Sequence, residues 1–165
     1  MLKFRVKTII CLLVMVFSLS ACNFHGRLYS NDTTLADETM AKIAYCINKN
    51  DTDELIKLFS KKALKSIDNY DKKINAIAAK LRSGIKIYKL EAGPAGSGSY
   101  MYGQSTESFD VGYMVRTNSG NEYNIGFNKI YTSTENEDLL GLTSLRLSKS
   151  ENAFVCTNNF VIFIE

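Results

Sequence analysis

The spacing of apolar residues changes at Gly84, and this change limits the possible folds more than any other feature of the sequence. Before Gly84 the apolar residues recur with the period of a helix face, whereas after it they alternate with polar residues, as on a half-buried strand. All predicted helices therefore precede all predicted strands. This order predicts an α+β domain in which N-terminal helices pack on a mostly antiparallel sheet.

Three amphipathic helices are predicted before Gly84. Their apolar stripes are Ala36, Met40, Ile43, Ala44 and Ile47 in the first, Leu55, Leu58 and Phe59 in the second, and Ile67, Tyr70, Ile74, Ile77, Ala78 and Leu81 in the third. Thr34 and Asp51 are expected to cap the first two helices. The third is expected to run from about Ser66 to Ser83, because Gly84 suits the left-handed conformation that ends helices.

Five strands are predicted after Gly84, at residues 85–90, 109–115, 123–131, 139–147 and 160–164, with a hairpin turn at residues 118–121. The glycine-rich segment 91–104 is predicted to be a loop. It is not a phosphate-binding loop, because no Gly-Lys-Ser/Thr follows it. Two roles stay open for Tyr100 and Tyr102 in this segment, a lid over a pocket or decoration of a sheet edge.

Three glycines fall inside predicted strands, where glycine weakens a strand unless a bend, a bulge or a close approach requires it. Gly112, Gly126 and Gly141 occupy three different strands. They predict a curved sheet, a half-cone that wraps the helices and leaves an open mouth suited to a pocket. The alternative is that they are three unrelated weak points.

The N-terminus has the organisation of an export signal. Lys3, Arg5 and Lys7 precede an uncharged apolar run at residues 9–17, which is shorter than the ~20 residues that a membrane-spanning helix needs. The following 19–22 (LSAC) resembles the lipobox of bacterial lipoproteins, in which the cysteine receives a diacylglyceryl group. The sequence thus predicts a signal peptide at 1–21, a lipid-attached tether at 22–31 and one domain at 32–165. The alternatives are an ordinary cleaved signal and an uncleaved anchor.

Lipidation of Cys22 would hold the protein on the extracytoplasmic face of the cell membrane, because two acyl chains give stable anchoring. Nine residues of tether, 23–31, reach at most ~30 Å when extended. Beyond residue 21 the chain has 17 basic and 17 acidic residues, counted from the 20 and 17 of the whole sequence less three in the signal. A nucleic-acid partner is therefore not expected, since phosphate binding needs a basic surplus.

The remaining side chains offer little for catalysis. The single histidine, His25, lies in the tether, so histidine-based catalysis is not expected. Asp110 and Tyr113 would face opposite sides of one strand, which disfavours an isomerase-like pair of base and donor. Cys46 and Cys156 lack metal-ligand spacing, and either a disulfide between them or buried free thiols is possible. No enzyme activity, catalytic residue, metal or cofactor is predicted.

Several strings in the mature chain carry a family resemblance. They are 58–64 (LFSKKAL), Gly93-Pro94 and 136–146 (NEDLLGLTSLR). They resemble a family of bacterial lipoproteins catalogued as domain of unknown function 5104, over roughly residues 32–147. That family is similar to the cystatin-like, nuclear-transport-factor-2-like folds, so the resemblance implies helices packed into a strongly bent antiparallel sheet. It implies no activity.

The leading functional hypothesis is a membrane-tethered, non-catalytic module whose concave sheet face binds a small apolar ligand or a peptide. The aromatic residues that would supply contact surface are Phe109, Tyr113, Tyr123, Phe127 and Tyr131, although the same alternation also suits a packed core. The alternatives are a scaffold or interaction subunit of an envelope complex, docking through a sheet edge or the basic helical half, and an immunity lipoprotein that intercepts a peptide. The oligomeric state stays open.

Overall fold

A computed structural model describes residues 32–149 and 162–164 of the chain, without the side chains of Tyr88 and of residues 162–164. The predicted signal peptide, the predicted lipidation site Cys22, the predicted tether and Cys156 lie outside these residues. The described part contains four α-helices, a short 3₁₀ helix and five strands. The helices come first and the sheet follows, so the predicted α+β class is confirmed.

The helices are α1 (residues 32–49), α2 (Thr52–Lys57), α3 (Lys61–Ser66) and α4 (Tyr70–Lys80). Asp51 caps α2 as predicted, because its side chain accepts a hydrogen bond from the Glu54 backbone N–H. Gly84 has the predicted positive φ, +85°, and follows α4 closely. The cap predicted at Thr34 is wrong, because the chain is already helical at residue 32.

The second and third predicted helices are divided differently in the structure. The chain turns extended between α2 and α3, where Phe59 forms a parallel bridge with Leu142 and the Ser60 N–H donates to the Leu142 carbonyl. Gly141 permits this approach, since a Cβ there would lie 2.8 Å from the Leu58 carbonyl oxygen. A contact with a distant strand therefore interrupts a stretch that is helical by its local pattern.

The sheet has five strands in the order β1-β2-β3-β4-β5. They are β1 (Ile85–Met101), β2 (Gln104–Thr117), β3 (Glu122–Ser133), β4 (Gly141–Lys149) and β5 (Ile162–Ile164). The first four pair antiparallel in sequence order, and β5 pairs parallel with β4. The hairpin turn at 118–121 is confirmed, and the 3₁₀ helix Glu137–Leu139 connects β3 to β4.

The loop predicted at 91–104 is wrong. These residues extend β1 and begin β2, and Met101 pairs with Gln104 across a two-residue turn at Tyr102 and Gly103. Three register shifts interrupt the β1–β2 ladder between Ile87 and Ala95. Each places an extra residue on β1, which increases the local bend of a strand. Gly112 pairs with Ala92, so the extra residues lie on the strand that Gly112 pairs with and not on β2.

The core lies between the helices and one face of the sheet. Helix α1 contributes Ala36, Met40, Ile43 and Ile47, and β2 and β3 contribute Phe109, Val111, Tyr113, Val115, Ile125 and Phe127. Cys46 is buried in this core as a free thiol. Burial, together with the nearby carboxylates of Asp51 and Glu54, raises its pKa and keeps the thiol protonated.

Candidate functional site

The helix-facing side of the sheet is filled by its own aromatic residues. Phe109 and Phe127 are fully buried with ring centroids 6.1 Å apart, and Tyr113 stacks on Phe127 at the same distance. Tyr131 is half-buried against Phe109, with ring centroids 5.7 Å apart. The interpretation of the aromatic stripe as packed core is therefore confirmed for these residues.

Polar contacts join α1 to the sheet beside this aromatic cluster. The Tyr113 hydroxyl donates to Asp37 Oδ1 at 2.6 Å, and the Tyr131 hydroxyl donates to Asp32 Oδ1 at 2.9 Å. Burial and then the hydrogen bond to Asp37 raise the pKa of Tyr113 well above its usual value. Both tyrosines therefore stay neutral and act as donors, which orients α1 on the sheet.

Lys129 extends this row of contacts, with Nζ donating to Thr39 Oγ1 at 2.9 Å. Burial lowers the pKa of Lys129, and the positive charge of Lys42 lowers it further. The amine still has a hydroxyl partner on α1. This row of hydrogen bonds therefore has the geometry of a structural contact that holds α1 on the sheet.

The opposite face of the sheet, which turns away from the core, carries a buried ion pair. Arg146 Nη2 lies 2.5 Å from Asp110 Oδ1, and the two side chains are 8% and 23% exposed. The Arg146 side chain extends from β4 across β3 to β2. Arg146 pairs with Gly126 on β3, and Gly126 pairs in turn with Gly112 on β2. The absence of side chains at these glycines leaves room for the guanidinium. The prediction that Asp110 and Tyr113 face opposite sides is confirmed.

Among the residues that the structure describes, two further polar side-chain atoms on this face are buried without a hydrogen-bond partner. They are Asn124 Oδ1 and Ser148 Oγ, on residues that pair across β3 and β4. Buried polar atoms of this kind are uncommon in folded proteins. The sequence could not locate them, because only the strand register brings residues 24 positions apart to adjacent places.

One cavity of about 200 Å³ lies in the helical half, lined by Asn50, Thr52, Asn75, Ala78, Ala79 and Arg82. It is smaller than the usual ~300–1,000 Å³ of a ligand pocket, and it is lined mainly by polar groups. It does not include the aromatic stripe. Among the described residues no group of three or more metal-ligating side chains comes together.

The most exposed apolar surface lies on β1, an edge strand of the sheet. Seven large apolar residues are exposed in the described part of the chain, and five of them, Ile87, Leu90, Tyr100, Met101 and Tyr102, lie in β1 or its turn. We call residues 95–99 the free edge and residues 100–103 the hairpin tip. The ladder between β1 and β2 is regular from Ala95 to Met101.

A sequence signal for this surface exists, although the loop prediction concealed it. Residues 92–106 contain no charged side chain, in a protein in which 22% of residues are charged. Edge strands are commonly protected from pairing by charges, bulges or proline. In β1 such features, including Lys86, Lys89, the bulges and Pro94, all precede the free edge.

Residues 42–150 match a family described as Domain of unknown function (DUF5104). The chain belongs to this family. The matched range covers the C-terminal eight residues of α1 and all of α2 to β4, so the free edge and the hairpin tip are part of the DUF5104 domain. The chain matches no curated protein. No helix within residues 32–149 is both long enough and apolar enough to cross a membrane.

Proposed function

We propose that this DUF5104 protein is a lipid-anchored, extracytoplasmic binding module without catalytic activity, held at the membrane through a diacylglyceryl group on Cys22. The basic start, the short apolar run and the LSAC string at 19–22 support the anchor. The proposed order is a signal peptide at 1–21, a tether at 22–31 and the binding domain from residue 32.

The ligand that the geometry favours is an extended peptide segment docked on the free edge. The observation that carries this proposal is the concentration of exposed apolar residues on β1 beside a regular, uncharged strand edge. A small apolar ligand on the helix-facing side of the sheet is less well supported, because Phe109 and Phe127 occupy that space.

The backbone of the free edge has the hydrogen-bonding groups that such a peptide needs. Met101 and Gln104 flank a two-residue turn, so they form a hydrogen-bonded pair in the β1–β2 ladder. The N–H groups of residues 96, 98 and 100 then point away from β2. An added strand would pair with these groups, and its side chains would contact the exposed surface of β1.

The sheet curvature belongs to the same proposal. The three bulges in β1 and the glycine row at Gly112 and Gly126 support a bent, half-cone sheet of the cystatin-like, nuclear-transport-factor-2-like kind. In such a sheet the bulged part of β1 would bend while the free edge stays straight and accessible.

Paired substitutions at Gly98 test the peptide site. Gly98→Pro removes an outward N–H, whereas Gly98→Ala keeps it and places a Cβ in ordinary contact, 3.7 Å from the Thr106 carbonyl oxygen. Peptides selected from a phage-displayed random library on the wild-type protein should bind Gly98→Ala normally. They should bind Gly98→Pro about tenfold more weakly, the effect of losing about one backbone hydrogen bond.

Selection of no peptide, or of peptides that bind both variants equally, would contradict the proposed site. The anchor is tested separately with Cys22→Ser in the full-length protein. Wild-type protein should incorporate labelled fatty acid and sediment with membranes, and Cys22→Ser should do neither. Unchanged acylation of Cys22→Ser would overturn the anchor assignment.

A further inference from the structure

The hairpin tip projects the most exposed apolar side chains of the described chain. Tyr100, Met101 and Tyr102 are 77%, 67% and 98% exposed. No charged residue lies between positions 92 and 106, so the end of the hairpin has no charge to keep it in water. Exposed apolar groups in a cluster indicate an interaction surface.

The backbone at the tip is unfavourable for the residue that occupies it. Tyr102 and Gly103 have φ of +51° and +82°, the left-handed values of a tight hairpin turn. Asn, Asp or Gly is favoured at the first of these positions, and a bulky aromatic residue is uncommon there. Because Tyr102 is also almost fully exposed, its ring makes few packing contacts that could offset this unfavourable backbone conformation. An intermolecular contact therefore explains a tyrosine at this position better than a contribution to folding does.

The tip lies at the end of the domain from which the tether leaves. Asp32, the first described residue of α1, contacts Gly96, where a Cβ would lie 2.5 Å from Asp32 Oδ2. The other end of α1 is held at the start of β1, where Asn48 accepts a hydrogen bond from the Ile85 N–H at 2.7 Å. Helix α1 therefore runs antiparallel to β1, and its first residue lies on the side of the tip.

The distances are compatible with simultaneous contact of anchor and tip. Six residues separate Gly96 from Tyr102, which corresponds to ~20 Å of strand at ~3.3 Å per residue. The tether of residues 23–31 reaches at most ~30 Å. A bilayer that holds the lipid of Cys22 is thus within reach of the tip.

We propose that the hairpin tip inserts into the headgroup region of the bilayer that holds the protein, as a second membrane contact beside the lipid. This inference rests on the proposed anchor at Cys22. Tyrosine suits this position, because its ring is apolar and its hydroxyl stays with water and headgroups. The contact would present the free edge close to the membrane surface and fix the orientation of the domain.

The chain contains no tryptophan, so a single introduced tryptophan reports on its own position. Tyr102→Trp places the reporter at the tip. Tyr45→Trp is a matched control, because Tyr45 is 63% exposed on α1. It lies 13 residues from Asp32, about 20 Å along the helix away from the tether. Full-length protein expressed in bacteria is reconstituted into phosphatidylethanolamine–phosphatidylglycerol vesicles with or without brominated acyl chains.

The expected result is a blue-shifted emission for Tyr102→Trp that brominated lipid quenches by about half, since aromatic side chains at the headgroup level lie next to the acyl chains. Tyr45→Trp should show little quenching. Tyr100→Trp is the second reporter if Tyr102→Trp unfolds the protein, as judged by circular dichroism. Equal quenching of tip and control reporters in acylated, vesicle-bound protein would overturn the tip contact and leave the anchor standing.

The experiment distinguishes failure of the proposed lipid anchor from failure of the proposed tip contact. Absence of acyl chains by mass spectrometry would overturn the anchor whatever the fluorescence shows. Quenching of the tip reporter in such unacylated protein would support the tip contact independently. Quenching that appears only after a partner protein is added would overturn the lipid contact and indicate a protein surface instead.

Discussion

The two strands of the first hairpin have opposite surroundings. Alternate residues of β2, including Phe109, Val111, Tyr113 and Val115, are buried against the helices. In β1 only Ile85 and Pro94 are buried among the side chains that the structure describes, and the backbone pairing with β2 holds the rest. The strands belong to one ladder but contribute differently to stability.

This difference indicates where the domain has freedom to bind. Side chains on β2 are fixed by core packing, so changes there act on the free energy of unfolding. Side chains on the free edge and the hairpin tip are exposed, so we expect changes there to alter the free energy of unfolding little and to act on interactions instead.

The largest expected effect is loss of a core aromatic residue on β2. Phe109→Ala should lower the free energy of unfolding by about 4 kcal/mol, because it opens a cavity beside Phe127. Tyr100→Ala on β1 removes a ring of similar size and should change the free energy of unfolding by less than about 0.5 kcal/mol. Urea denaturation measures both. Comparable losses for the two variants would show that β1 is as well packed as β2.

The next effect concerns the ion pair on the other face of β2. Arg146→Met should lower the free energy of unfolding by about 2 kcal/mol, since it leaves the partly buried Asp110 carboxylate without its cation. The double variant Asp110→Leu with Arg146→Met should recover much of that loss. Arg116→Met is the exposed control, because the Arg116 and Glu122 side chains are 50% and 35% exposed. Additive losses in the double variant would mean that the two residues are not coupled.

A smaller effect is expected for the hydrogen bond between β2 and α1. Tyr113→Phe should lower the free energy of unfolding by about 1 kcal/mol, which is the net contribution of one such hydrogen bond. The same tyrosine predicts a loss of stability in alkali. Its pKa is raised in the folded state, so its contribution is complete below the unfolded pKa of about 10 and falls as pH rises above it.

Urea denaturation from neutral pH to above pH 10 measures this dependence. The wild-type protein should lose stability in that range, and Tyr113→Phe should lose less. Tyr131, which donates to Asp32, has a pKa raised in the same direction, so part of the dependence should persist in the variant. An identical pH profile for the two proteins would contradict the assigned role of Tyr113.

The smallest expected effect lies at the hairpin tip. Tyr102→Asn should change the free energy of unfolding by less than about 0.5 kcal/mol, in the stabilising direction, because Asn readily adopts positive φ in a tight turn. Thermal and urea unfolding measure it. Clear destabilisation would mean that the Tyr102 ring supports the fold, and the functional reason for its presence would then fail.

Local patterns located most of the elements but not their packing. The cap at Asp51, the stop at Gly84 and the turn at residues 118–121 agree with the structure because each depends on neighbouring residues alone. The alternation in β1 predicted that Ile87 would share the burial of Ile85, yet Ile87 is 44% exposed. No register shift lies between the two residues, so Ile87 faces the same side as Ile85, and its exposure follows from its place on the edge strand β1.

The candidate surface was less accessible to sequence reasoning than the fold. Glycine and serine in segment 91–104 resemble a loop, and only pairing with β2 makes the segment a strand. The Asp110–Arg146 pair and the meeting of Asp32 with Gly96 join residues far apart in the chain. No local pattern contains that information.

The sequence by itself determined the order of helices before strands, the identity of the core residues on β2 and β3, and a prediction of an anchored, non-enzymatic protein. The tertiary structure decided where helices break, which strand lies at the edge and which apolar residues remain in water. The physical reason is the distance along the chain over which the interactions act. Periodicity, caps and turns express interactions between neighbours, whereas an edge exists only once the other strands have taken their places.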